Sequence, residues 1–294
     1  MVRMESEEAT NAGSPEASVI EANVRFYRQI AAKYDRYEAC VSDRNLQQLL
    51  NRDIDRIAVL LGKRDRPIEC LDCGGGSGNL SLKMLKKGWS VTAVDISSDM
   101  LALLETKAAC EGFSPRLINE SISKFLATTH ENYDVVAFSS VLHHIYSYLP
   151  VVTQAADHIK QGGIFYSNFD PVVSKHPHST RLFEALDTAV AKAIFDSSDF
   201  FPGVLRRIRK SFRKSDGQHG RPVLGPGDLA EYHAKTGVDD LSIIQYLEKS
   251  GFSVHEHTRW SSGRSVLTRG INRRLRLMES FKIVAQRVPK RSST

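Results

Sequence analysis

A chain of 294 residues with 41% hydrophobic and 25% charged residues can bury the core of one large α/β domain with additions. No apolar run approaches the roughly 18 residues a membrane helix needs, and no repeat with a period of about 20–50 residues is visible. The formal net charge of +6 permits an acidic partner, whether nucleic acid, an anionic surface or a phosphorylated or carboxylated molecule, and does not choose among them.

Residues 1–18 are acidic and small, without the basic start and apolar stretch of a secretory signal, and read as a disordered tail of a cytoplasmic protein. Cys40, Cys70, Cys73 and Cys110 are too scattered for a disulfide framework, which agrees with a reducing compartment. Residues 19–66 predict an N-terminal helical cap. Its first helix carries Tyr27 and Tyr34, placed to fold over a pocket. Its second, over 45–62, sets Leu46, Leu49, Leu50, Ile54, Ile57, Leu60 and Leu61 at helical spacing before a Gly62 C-cap.

From Pro67 short apolar runs alternate with helical patterns, as in a parallel sheet with crossover helices. Strands are expected at 68–72, 90–95, 116–119, 134–140 and 163–169, with helices near 79–87, 97–112, 121–129 and 148–160. The rhythm breaks over 171–238, read as a helical insertion or substrate lid that holds a basic stretch at 205–214. It returns over 239–294 with a helix at 239–250 and strands at 252–260 and 281–288. No crossover helix separates those two strands, so they are expected as antiparallel neighbours at one edge of the sheet.

The strongest signal is LDCGGGSGNLS at 71–81, where an apolar strand ends in Asp72 and enters Gly74, Gly75, Gly76 and Gly78 before a helix. Glycines let the backbone turn sharply and approach a ligand, and the following helix N-terminus offers unpaired N–H groups. At the end of the second strand Asp95 is placed to accept hydrogen bonds from ribose hydroxyls. The dinucleotide fingerprint G-x-G-x-x-G fits poorly, because its last position falls on Asn79 or Ser81.

The acidic residue two positions before the first glycine instead resembles the D/E-x-G-x-G-x-G motif of class I S-adenosylmethionine (SAM)-dependent methyltransferases, and the likeness runs over about 67–170. The resemblance implies a Rossmann-like, mostly parallel seven-stranded sheet with an antiparallel edge strand, and SAM as cofactor. It implies that Asp72 helps hold the amino-acid part, that Gly74, Gly76 and Gly78 face the methionine and ribose, and that Asp95 binds the ribose. Met100 is then near the adenine face, with Glu120 and Ser121 at the adenine amino group. Gln161-Gly162-Gly163 resembles the family's glycine turn, and its structural reading is the end of a helix and the start of a strand.

Ligands in doubly wound sheets sit outside the carboxyl ends of the strands, where the strand order reverses. The fourth strand there ends in Ser139-Ser140-Val141-Leu142-His143-His144, and either histidine can act as general base or hydrogen-bond partner. The paired histidines resemble those of small-molecule methyltransferases. Tyr232 and His233 reach substrate if the insertion closes over the site.

Several features point elsewhere and are set aside. Cys70 and Cys73 have metal or redox spacing but overlap a buried strand, and no metal site is expected. His255 and His257 read as solvent-facing. Asn168-Phe169-Asp170-Pro171 departs from the motif of amino-group nucleic-acid methyltransferases in lacking the second proline and in following strand five. The expected acceptor is a small molecule held by cap and insertion. RNA or protein methylation through the basic segments 205–214 and 264–276, a non-catalytic SAM-binding protein and a nicotinamide-dependent oxidoreductase stand as rivals.

Overall fold

The computed structural model describes residues 14–173, 229–230, 232–234, 236–260 and 279–289. The basic segments 205–214 and 264–276, and most of the expected insertion, lie outside the described residues.

The cap begins earlier than the sequence suggested. Helix α1 spans Pro15–Tyr37, with the Ser14 hydroxyl accepting the Ala17 N–H at 3.1 Å and Pro15 at the first helical position. The Ser-Pro pair is a strong start signal, since the hydroxyl caps an orphan donor and proline lacks one, so the tail stops short of residue 18. A short turn, α2 (Ala39–Ser42), leads into α3 (Arg44–Leu61). Asp43 caps α3 through the N–H groups of Asn45 and Leu46, and Gly62 ends it at φ 68°. Leu50, Ile54, Ile57 and Leu61 form its buried stripe, each full burial contributing about 1.5–3 kcal/mol.

The core alternates as expected: β1 (Glu69–Cys73), α4 (Ser81–Lys86), β2 (Ser90–Asp95), α5 (Ser98–Cys110), β3 (Arg116–Asn119), α6 (Ile122–Thr128), β4 (Tyr133–Ser139), α7 (Tyr148–Asp157) and β5 (Ile159–Pro171). Helix α8 (Asp240–Lys249), β6 (Phe252–Trp260) and β7 (Ser280–Arg287) complete the sheet, in the order β3-β2-β1-β4-β5-β7-β6. Strands β1 to β5 pair in parallel, while β7 runs antiparallel to both β5 and β6. The β6–β7 pair closes one edge as expected, with β7 one place in from the rim. The order reverses between β1 and β4, and the crevice opens there.

Side-chain alternation assigns each face its core. Val136 and Phe138 of β4 pack with residues of α6, α7 and α8, whereas Val135 and Ala137 pack with α3, α4 and α5. Cys70 and Cys73 fall into opposite clusters because an odd spacing along a strand points to opposite faces, so they are core residues. Strand β5 starts four residues before the expected 163, at Ile159. Gly163 sits where a Cβ would lie 2.9 Å from the carbonyl oxygen of Asp134, while Gly162 has open space and a φ of 72°, so Gly163 serves strand packing and Gly162 the turn of the backbone within β5.

At the amino-terminal end of the sheet the buried Asp134 receives two guanidinium bonds from Arg66, at 2.6 and 2.9 Å, and the Glu69 N–H at 2.9 Å. Burial pushes its pKa up, but these bonds and the nearby Lys160 and Arg66 charges hold it below the ordinary value. His257, expected to face solvent, instead bonds the buried Asp240 at 2.7 Å beside a bidentate Arg259, tying β6 to α8.

Candidate active site

At the carboxyl ends of β1, β2 and β4 a cleft encloses about 1060 Å³, part of it open to solvent. Helix α1 lies across it, contributing Val19, Asn23, Tyr27 and Tyr34 to the lining. The floor of one end is the glycine loop, and the other end is the segment after β4.

In the loop end, Asp72 is 1% exposed. Its Oδ2 accepts from the Ser81 hydroxyl at 2.6 Å, while Oδ1 has no partner among the described residues. Burial raises its pKa to about 6, against the opposing Ser81 bonds and aided by the Asp95 charge. A buried carboxylate with one unpaired oxygen fits a cationic ligand group such as an ammonium. Asp95 bonds the Gly76 N–H through Oδ2 and the Ser97 N–H through Oδ1, each at 2.8 Å, which pins the loop to the end of β2. Burial raises its pKa despite those two bonds.

The glycines divide their labour. Gly74 (φ 75°) and Gly78 (φ 90°) are packing positions, where a Cβ would come within 2.3 Å of Val141 and 2.4 Å of Leu104. Gly76 (φ 50°) has nothing nearer than Met100 Cε at 3.7 Å, so its missing side chain leaves room in the cleft. Ile96, Met100 and Ile122 supply apolar lining beside Ser121, which also caps α6 through the Lys124 N–H.

Past β4, Ser140 takes φ 58°, a left-handed conformation rare for serine, and its N–H is held by the Asn168 carbonyl at 2.8 Å. That turn brings His143 and His144 together with ring centroids 3.9 Å apart, and gives them different surroundings. His143 is buried behind the cleft and donates from Nδ1 to Asp170 Oδ1 at 2.7 Å. His144 lines the cleft. Its Nδ1 faces the Ala230 carbonyl at 2.6 Å and must carry the proton, so Nε2 accepts from the Tyr27 hydroxyl at 2.8 Å. Burial and the neighbouring His143 push the His144 pKa well below its usual value, which keeps the ring neutral.

Helix α1 is fastened at both ends. Asp35 accepts from Ser77 of the loop at 2.5 Å and pairs with Lys107 of α5 at 2.7 Å, while Tyr27 and Asn23 reach the segment after β4.

Residues 42–217, more than half of the chain, match the family model described as a methyltransferase domain. The chain belongs to that methyltransferase family. A curated relative, the ubiquinone biosynthesis O-methyltransferase of Vibrio parahaemolyticus, is 28% identical over 152 residues, covering 51% of this chain and 63% of that protein. The chain thus spans less than two thirds of the relative's length. Magnesium protoporphyrin IX methyltransferase from Synechocystis with bound SAH superposes with a TM-score of 0.55 at 16% identity, covering 93% of this chain and all of that one. The cyclase SpnF also reaches a TM-score of 0.55, at 12% identity, covering 91% of this chain and 95% of its own. Such distant likenesses establish the Rossmann-like fold, which the two neighbours use for different chemistries.

The cleft brings together Asp72, Gly74, Gly76, Asp95, Met100, Ser121 and His144 from the matched domain with Tyr27 and Tyr34 from α1, all candidates of the sequence. Five expected residues stand outside the lining. Gly78 packs on α5, and Glu120 pairs with Lys124 at 2.9 Å. Tyr232 and His233 stack behind the wall on Tyr146 and Tyr148. His143, the fifth, supports the turn rather than facing the cleft. The sequence reading missed Asn23 and Ser77, whose partners lie 121 and 42 residues away. Only Tyr27 and Tyr34 on the same helix as Asn23 hinted that it covers a pocket.

Among the described residues no helix is long and apolar enough to cross a membrane, and no cluster of metal-ligating side chains is present.

Proposed function

We propose that this protein binds SAM in the loop end of the cleft and transfers its methyl group to a small-molecule acceptor in the other end. The observation that carries the reading is the unpaired Oδ1 of buried Asp72 at the glycine loop, in a chain with a methyltransferase-domain match. Bound there, SAM supplies a methyl group already activated on a sulfonium. Asp72 would hold its ammonium, Asp95 its ribose hydroxyls, and Ile96, Met100 and Ile122 would offer the base an apolar surface.

The remaining task of the protein is alignment and removal of one proton. Neutral His144 is poised for this through Nε2. As the acceptor atom attacks, its proton passes to Tyr27 Oη while Tyr27 delivers its own to His144 Nε2. The strained Ser140 turn and the His143–Asp170 bond hold that imidazole in place.

A small molecule rather than nucleic acid is favoured because the described lining contains Glu16, Asp72 and Asp95 and neither lysine nor arginine, although the whole chain carries +6. A cytoplasmic setting is supported by four free thiols. The test is incubation with methyl-labelled SAM and separate pools of small metabolites, RNA and protein. Label entering the small-molecule pool, with little loss on added salt, is expected. Label entering RNA, with a steep salt dependence, contradicts the proposal.

A further inference from the structure

Asn23 is 2% exposed, borders the cleft and is only half satisfied. Its Nδ2 donates to the Val19 carbonyl at 2.9 Å and to the His144 carbonyl at 3.4 Å. Two carbonyls on the nitrogen side fix the orientation of the amide, because neither can donate. The other atom is therefore an oxygen, and Oδ1 has no partner among the described residues. A buried acceptor left in this state is costly, and most such groups in folded proteins are paired.

Its position assigns it to one end of the cleft. Asn23 touches the backbone of His144, whereas the glycine loop is met by Asp35 on the same helix, 12 residues and roughly 18 Å further along. Val19, Ile20 and Tyr27 neighbour it along the cleft side of α1, and Ile145 and Tyr146 after the β4 turn belong to the same lining. Asn23 thus borders the cleft among largely apolar neighbours, beside the Tyr27–His144 pair. We infer that Asn23 Oδ1 selects the acceptor, by taking a hydrogen bond from an O–H or N–H other than the one that is methylated. With Glu16 two turns before Asn23 on α1 and no cationic side chain in the described lining, the molecule it selects is uncharged or cationic, and apolar apart from its donors. This rests on the methyltransferase reading and narrows its substrate class.

The test is calorimetric titration of the full chain, saturated with S-adenosylhomocysteine, against cyclic alcohols and amines in matched pairs that differ by one hydroxyl. Each pair is also tested with a carboxylate added. The member with the second donor should bind about tenfold or more tightly than its partner, since a site built to bond a hydroxyl rejects the analogue lacking it. Carboxylated members should bind more weakly. Asn23→Leu should equalise the pairs while leaving S-adenosylhomocysteine affinity unchanged; the wild-type ratios alone carry the test if that variant does not fold. Equal binding within the pairs, preference for the carboxylates, or no binding by any member overturns the inference. Failure of S-adenosylhomocysteine to bind sinks the methyltransferase reading instead.

Discussion

Two buried aspartates at opposite ends of the same sheet show how this fold separates stability from function. Asp134, at the amino-terminal end of β4, has both oxygens engaged by Arg66 and the Glu69 N–H, and its pKa lies below the ordinary value. Asp72, near the carboxyl end of β1, keeps one oxygen unpaired, and burial lifts its pKa to about 6. The first is a finished interaction. The second is left open, so the folded protein carries an electrostatic penalty at the position where a cationic cofactor group is proposed to bind.

The glycine loop gives the largest way to break that division. Gly74→Ala combines left-handed strain with a collision against Val141 and should destabilise by roughly 2–5 kcal/mol, read by denaturant unfolding. Gly76→Ala should cost only about 1–2 kcal/mol, because space is open there, and should weaken SAM binding instead.

The aspartates sharpen it further through pH. Asp134→Ala should destabilise by about 2–3 kcal/mol at pH 7 and leave SAM affinity of the folded protein unchanged. Since its folded pKa lies below 3.8, its contribution is present above that pH and is lost as pH falls. Asp72 has the reverse sign. With a folded value of about 6 against 3.8 unfolded, its contribution is complete below pH 3.8 and disappears as pH rises through 6. Asp72→Asn should therefore stabilise the ligand-free protein at pH 7, by up to about 3 kcal/mol, while weakening SAM binding. Wild-type SAM affinity should rise with pH through about 6 as the carboxylate ionises.

At the acceptor end the expected effect falls on turnover rather than on stability. Tyr27→Phe removes the donor to His144 and should lower kcat about 10–100-fold without changing SAM affinity. A matching loss of SAM affinity would place Tyr27 at the cofactor.

This contrast also explains what could be read from the sequence. The loop end of the cleft was legible as a cluster because it is local: Asp72, Gly74 and Gly76 are nearly contiguous, and Asp95 closes the next strand. Strands and helices were legible from their periods, and β5 and α1 differed at their ends through a strand irregularity and an N-cap. The acceptor end was legible only in part, since His144 meets Tyr27 across 117 residues and Ala230 across 86. No local pattern distinguishes His144 from His143, or reveals that Asn23 leaves an oxygen unpaired. Gly78 and Glu120 matched motif positions, yet their side-chain surroundings serve packing and an ion pair.

The most direct test of the central claim is calorimetric titration of SAM, S-adenosylhomocysteine, NAD and NADP into the wild type, Asp95→Ala and Tyr27→Phe. The account predicts micromolar binding of the first two ligands alone, lost in Asp95→Ala and kept in Tyr27→Phe. Binding of NAD or NADP in their place, or S-adenosylhomocysteine affinity indifferent to Asp95, would contradict it.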